Sequence, residues 1–160
     1  MKKGVTVYLV RKGKGGKVKE VCLGMKKIRY AKGKWNGFGG KVEKGETIKD
    51  AMVREVMEEA EVIVDKKYLI KMAELDYLEP GGNWKVYVFI CSKWKGIPKE
   101  TEEMRPKWFS VDQIPYGKMW ENDKLWLSKI LQGEKLKAKI VHDDEDRVVK
   151  YNSVVVENLK

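Results

Sequence analysis

Gly40-Lys41-Val42-Glu43-Lys44-Gly45-Glu46-Thr47-Ile48-Lys49-Asp50-Ala51-Met52-Val53-Arg54-Glu55-Val56-Met57-Glu58-Glu59-Ala60-Glu61-Val62 is the stretch on which the reading of this chain turns. From Thr47 to Ala60 the apolar residues recur at helical spacing, with Thr47 placed as an N-cap and Asp50 three residues on, which predicts a helix. At about 100° per residue, Met52, Val53, Val56, Met57 and Ala60 form one continuous arc, predicted to face the core. Glu55, Glu58 and Glu59 fall on a separate arc of about 100°, so three carboxylates crowd one turn of helix. Their pKa values are predicted to rise unless a cation lies among them. A run of acids on a helix face is usually solvated surface. It also suits a hard cation, because three carboxylate oxygens can hold Mg²⁺ while water and substrate phosphates fill the remaining positions.

The flanking residues decide between these readings. Gly40, five residues, Glu46, seven residues, then Arg54-Glu55-Val56-Met57-Glu58-Glu59 resembles the signature of the Nudix hydrolases at every fixed position but the last, where Glu61 replaces a glycine. The resemblance implies an α+β Nudix fold, a mixed β-sheet flanked by helices in an α/β/α sandwich. It implies a loop-helix-loop that binds Mg²⁺, with Mn²⁺ the alternative, and directs water at a phosphoanhydride. On that basis Glu55, Glu58 and Glu59 are metal-binding and catalytic residues, Gly39 adds a carbonyl and Glu103 an acid from a distant loop. Either Glu58 or Glu59 serves as the base, and Glu46 and Arg54 form an ion pair that braces the loop. A non-glycine residue at Glu61 should cost roughly 1 kcal/mol in the left-handed conformation, or force the helix to end differently.

Further segments narrow the resemblance. Leu23-Gly24-Met25-Lys26-Lys27, Trp35-Asn36-Gly37-Phe38-Gly39-Gly40-Lys41-Val42, Glu103-Met104-Arg105-Pro106, Trp108-Phe109, Asp112-Gln113-Ile114-Pro115 and Met119-Trp120 are similar to those of MutT-like members that act on oxidised purine nucleoside triphosphates. The implied activity is hydrolysis of substrates such as 8-oxo-dGTP or 2-hydroxy-dATP to a monophosphate and diphosphate, which sanitises the nucleotide pool. The implied substrate-binding residues are Thr6, Lys26, Asn36, Trp120, Asn122 and Asp123 around the base, Leu75 and Trp84 on the apolar walls, and Phe38, Gly40 and Lys41 along the nucleotide. Asn122 departs from the pattern, which has a second Asp there. A carboxyl pair can exchange donor and acceptor roles by moving a proton, whereas an amide has one fixed donor end and one fixed acceptor end. A narrower or shifted choice between oxidised guanine and oxidised adenine follows. Two rival readings are a Nudix enzyme for ADP-ribose, dinucleotides or capped RNA, and a nucleic-acid-binding module whose acidic helix is inert.

Outward from the box, apolar runs at Val5 to Val10 and Val18 to Leu23 predict two strands about a Gly-rich loop. Residues 25 to 46 predict a loop with extended pieces. Leu69 to Glu79 and Trp84 to Trp94 predict a hairpin about Pro80-Gly81-Gly82-Asn83. Lys107 to Ser110 predicts a strand, Leu125 to Leu131 part of a second helix, and Leu136 to His142 a partner for Val148 to Val156. Residues 1–160 read as a single domain, long enough to bury a sizeable core. His142 is predicted on a strand surface, and Trp35, Trp94, Trp108 and Trp126 in the core.

Composition closes off other classes. Cys22 and Cys91 are the only cysteines, too few for a secreted disulfide framework, which favours core filling and a cytoplasmic location. No apolar stretch approaches the roughly 18 residues that span a bilayer, and no signal peptide is apparent after Met1-Lys2-Lys3. The formal charge is +10. Residues 1 to 35 hold 12 basic residues and one acid, Glu20, so the excess is wholly N-terminal. The expected partner is a small purine nucleoside triphosphate bound by a monomer, without a membrane or a stable nucleic-acid complex. Lys12, Lys14 and Lys17 are expected to steer it toward the acids.

Overall fold

Val5, Val7, Tyr8, Leu9 and Val10 are all buried, so strand β1 (Lys2–Lys12) is apolar on both faces, the mark of a central strand. The computed structural model describes residues 1–159. β1 pairs in parallel with β7 (Trp84–Cys91) from Lys2 to Leu9. Its other edge is shared. Gly4 to Val7 pair with β4 (Phe38–Lys41), and Leu9 to Lys12 pair with β2 (Val18–Lys26). This division brings the glycine-rich segment before the first helix against the middle of the sheet.

The sheet has nine strands. β6 (Leu69–Leu78) runs antiparallel to β7, β10 (Lys135–His142) parallel to β6, and β11 (Val148–Val156) antiparallel to β10 at one edge. β3 (Trp35–Asn36) and β9 (Met104–Ser110) pair with β2. Helix α1 (Ile48–Ala60) covers one face, packing Ala51, Met52, Val56 and Ala60 on Val5, Val7, Leu9 and Phe38. Helix α2 (Asp123–Leu131) covers the other, packing Trp126, Leu127 and Ile130 on Tyr8, Val10, Leu23 and Leu75. The expected α/β/α sandwich is present.

Two expectations need correction. The hairpin partner β7 ends at Cys91, and Trp94 belongs instead to β8 (Trp94–Lys95), which pairs with β5 (Ile63–Val64) in a separate two-stranded sheet. Strands this short carry no alternation to read. The core-facing arc of α1 is also rotated. Ala51, Met52, Val56, Glu59 and Ala60 are buried, while Met57 is 38% exposed and Val53 only half-buried. The helix is turned so that its acidic flank, and not Met57, lies against β4, where Gly39 and Gly40 present no side chains.

The helix ends follow local chemistry. Thr47 caps α1 by accepting the Asp50 N–H at 3.1 Å. At the other end Glu61 adopts φ 56°, ψ 36°, and its N–H reaches the Met57 carbonyl at 3.0 Å. The left-handed ending is retained with a side chain in place of a glycine, so the helix is not displaced.

Candidate active site

A cavity of about 420 Å³ opens beside the middle of the sheet. Thr6 and Tyr8 of β1, Gly39 and Gly40 of β4, Glu59 of α1, Leu75 and Tyr77 of β6 and Trp126 of α2 all line it. So do Lys26, Asn36, Lys41, Trp84, Trp120, Asn122 and Asp123. Eleven of the residues expected at the site thus share one cavity with Glu59, the buried acid of the Glu-rich helix.

Close approach of β4 depends on its glycines. A Cβ on Gly39 would fall on the Val5 carbonyl oxygen, and one on Gly40 would lie 2.5 Å from Glu55 Oε1. With neither present, the Gly39 N–H donates to Glu59 Oε1 at 2.8 Å. Glu59 is only 2% exposed. Burial pushes its carboxyl up to about 8, with the Gly39 N–H opposing, Glu55 adding to the rise, Lys26 opposing and Glu103 adding. Burial likewise raises Glu55, opposed by Arg54 and reinforced by Glu58 and Glu103. These cross-effects are those of carboxylates that feel one another.

Arg54 is the cation among them. Its Nε and Nη2 donate to Glu46 at 2.8 and 2.9 Å, Nη1 to Glu55 at 2.8 Å and to Glu58 at 3.4 Å, and Nη2 also to the Lys41 carbonyl at 3.0 Å. The fork ties the loop before the helix to the helix itself, and the hydrogen bonds from Arg54 hold the Glu46 carboxyl below its usual range. Glu103 stands 3.9 Å from Lys26 Nζ. Each acid therefore has a partner, Glu55 and Glu58 sharing Arg54, and among the described residues no three His, Cys, Asp or Glu side chains form a ready metal cage. The donor set is nonetheless all hard oxygen, and the burial that lifts Glu55 and Glu59, with the repulsion between neighbouring carboxylates added to it, is offset by a divalent cation, so these residues fit such an ion.

Several expected residues lie elsewhere. Phe38 is fully buried beneath α1, so its side chain packs the core and does not line the cavity. β4 alternates faces, and Phe38 lies on the helix side. Glu55, Glu58 and Glu103 do not line the cavity; Glu58 is turned outward, with its side chain 48% exposed.

At the other end, Asn122 and Asp123 are 4% and 6% exposed. Asn122 Oδ1 accepts from Tyr77 Oη at 2.9 Å and from Trp126 Nε1 at 2.8 Å. Burial pushes Asp123 up to about 7, opposed by backbone hydrogen bonding at Trp120 and by nearby Lys34. Lys34 Nζ lies 5.0 Å from the Trp120 ring centre, and Tyr30 packs on that ring at 5.3 Å.

Some cavity residues were missed. Tyr77 shares a strand face with Leu75, so a two-residue period was the available signal. His142 is buried, stacks on Tyr77 at 5.7 Å and lines the cavity, contrary to the surface placement. Its strand has a covered face because α2 packs there. Trp94 and Trp108 are only half-buried and stack on each other at 5.8 Å, with the Arg11 guanidinium 3.8 Å from the Trp108 ring centre.

The basic loop lies away from this cavity. Lys12 and Lys17 line a second, separate cavity with Ile70, Ile130 and Gln132. Lys12 is six residue steps along β1 from Thr6, roughly 20 Å, beyond a Debye length of roughly 8 Å at physiological salt. Lys26 and Lys41 are the lysines that line the first cavity. Cys22 and Cys91 are free and buried, the former pushed up to about 12 by burial. Among the described residues no helix is long and apolar enough to cross a membrane.

A family model described as the NUDIX domain matches residues 2–130. The chain is 39% identical over 132 residues to oxidized purine nucleoside triphosphate hydrolase of Mus musculus, covering 82% of this chain and 85% of that protein. It is 39% identical over 139 residues to the Danio rerio protein of the same name, covering 87% and 89%. The crystal structure of a MutT protein from Bacillus halodurans superposes with a TM-score of 0.79 over 96% of this chain and 97% of that one, at 22% identity, a likeness of fold.

Proposed function

The chain belongs to the Nudix family, and from that premise we propose that it hydrolyses oxidised purine nucleoside triphosphates, such as 8-oxo-dGTP, to the monophosphate and diphosphate. One observation carries the reading: a single cavity is lined both by Trp120, Asn122 and Asp123 and by the buried Glu59 of the acidic helix. The relatives' printed name, oxidized purine nucleoside triphosphate hydrolase, is the activity such a cavity suits.

In this reading Trp120 offers an aromatic face to the purine, with Tyr30 and Lys34 packed about that ring. Asn36, Asn122 and Asp123 supply polar contacts to the base. Lys26 and Lys41 meet the phosphate charge, and Gly39 and Gly40 let the chain approach closely. Glu55, Glu58, Glu59 and Glu103 would hold a divalent cation, Mg²⁺ or Mn²⁺, which when bound polarises phosphoryl oxygens and lowers the pKa of its water. Glu59, with its raised pKa, or Glu58 takes the proton from the attacking water. Arg54 holds Glu46, Glu55 and Glu58 in place as a positioning residue.

We further assign a monomer with no stable nucleic-acid complex, in keeping with a small nucleoside triphosphate as the ligand. A reducing, cytoplasmic location agrees with two free, buried thiols. The test is a hydrolysis panel of normal and oxidised nucleoside triphosphates, ADP-ribose and capped RNA, with Mg²⁺, Mn²⁺ or chelator. Preferential divalent-dependent cleavage of oxidised purine triphosphates is expected; preference for ADP-ribose or capped RNA would overturn the substrate assignment.

A further inference from the structure

Asn122 stands at the N-cap of α2, where an asparagine ordinarily turns its carbonyl to the helix's own N–H groups. Here it makes no such bond. Its Oδ1 is instead held by two donors, Trp126 Nε1 at 2.8 Å and Tyr77 Oη at 2.9 Å. An indole N–H can only donate, so the atom facing it must be the amide oxygen, and the two ends of this amide are not interchangeable. Both donors are themselves anchored: Trp126 is 2% exposed on the core-facing side of α2, and Tyr77 stacks on His142. The carbonyl end is thereby committed. What Asn122 offers the cavity it lines is its NH₂ group.

We infer that Tyr77 and Trp126 are positioning residues that fix Asn122 as a hydrogen-bond donor toward the base, and that the site therefore selects a 6-oxopurine over a 6-amino-2-oxopurine. This rests on the oxidised-purine reading above and names the preferred member of that class. The edge of 8-oxoguanine presents the O6 acceptor beside the N1–H donor, which complements one donor, Asn122, and one acceptor, the neighbouring Asp123 carboxylate. The edge of 2-hydroxyadenine in its 2-oxo form presents the 6-amino group beside N1–H, two donors side by side. One of them must face the Asn122 NH₂ group, and a donor against a donor in a closed site leaves both unsatisfied. Asp123 can accept from or donate to the base by exchanging a proton. Asn122 cannot.

The experiment measures kcat/KM for 8-oxo-dGTP and 2-hydroxy-dATP, and Kd for the two monophosphates, in wild type, Asn122→Asp, Trp126→Phe and Tyr77→Phe, with Tm for each. Wild type should favour the guanine substrate by at least about tenfold, the effect of one buried unsatisfied hydrogen bond. Asn122→Asp should bring the ratio toward unity, and Trp126→Phe should do the same by freeing the amide to turn. Tyr77→Phe, which removes one of two donors from a half-buried residue, should give an intermediate ratio and keeps the test open if Trp126→Phe fails to fold. A merely structural role for Tyr77 or Trp126 would lower Tm and leave the ratio in place. An unchanged ratio in Asn122→Asp, or a wild-type preference for the adenine substrate, overturns the inference. Absence of turnover with a retained preference in monophosphate binding would instead overturn the catalytic reading and leave this one standing.

Discussion

The Gly39 backbone N–H donates to the buried Glu59 carboxylate at 2.8 Å, joining the glycine segment of β4 to the acidic face of α1. A chain with a side chain at Gly39 could not bring β4 this close to β1, and a helix rotated to bury Met57 would not present Glu59 here. The bond marks where the fold and the candidate chemistry depend on each other.

Glu59→Gln and Glu58→Gln separate the two. A glutamine at 59 keeps an oxygen for the Gly39 N–H, so the loop-helix contact and the fold should persist. Divalent-dependent turnover should fall by about 10²–10⁴-fold in the variant that removes the base. Steady-state kinetics together with circular dichroism check this, and full activity in both variants would remove these acids from the mechanism.

Gly39 and Gly40 should respond differently to alanine. At Gly39 the new methyl meets the Val5 backbone within the β1–β4 ladder, which cannot give way, so the cost should be on the order of 3 kcal/mol, a Tm loss of roughly 6–12 °C. At Gly40 it meets the flexible end of Glu55, which can swing aside. Gly40→Ala should therefore keep most of its Tm while losing activity. Thermal unfolding and kinetics of the pair would contradict the packing argument if both behaved alike.

Glu61→Gly should stabilise the protein. Glu61 holds φ 56°, and removing its side chain relieves up to about 1 kcal/mol, partly offset by the greater freedom of glycine when unfolded. A Tm gain of roughly 1–4 °C with unchanged kinetics is expected, read by calorimetry. A loss of Tm would show that the Glu61 side chain contributes contacts of its own.

Asp123 sets a pH dependence. Its carboxyl moves from an ordinary 3.8 to about 7 on folding, because burial disfavours the charged form. The folded state therefore holds this proton more tightly than the unfolded state, and the associated stability is fully present below about pH 4 and lost as pH rises through about 7. Relative to Asp123→Asn, wild type should lose stability across that window. Denaturant unfolding of both proteins from pH 4 to 8 measures it, and parallel curves would show that Asp123 ionises freely.

The sequence made much of this legible for physical reasons. Thr47, the acid arc and the glycine of the box form a local pattern whose geometry follows from helix periodicity, and the long strands show apolar runs. What stayed hidden depended on contacts distant in the chain. Met57 falls on the predicted core arc because helical periodicity cannot tell which flank of an arc a glycine strand will accept. His142 became a cavity residue only because β10 lies beside β6, and Tyr77 and Trp126 acquired a role only through Asn122, 45 residues from the one and one turn of helix from the other. Lys12 and Lys17 misled because charge counted along the chain does not say at which end of β1 it lies.

The most direct test of the central claim is the kcat/KM of the purified chain for 8-oxo-dGTP against dGTP, measured with Mg²⁺ and again after chelation. The account predicts release of the monophosphate and diphosphate, a preference of at least about tenfold for the oxidised substrate, and loss of turnover on chelation and in Glu59→Gln. Equal rates on the two triphosphates, or turnover that survives chelation, would contradict it.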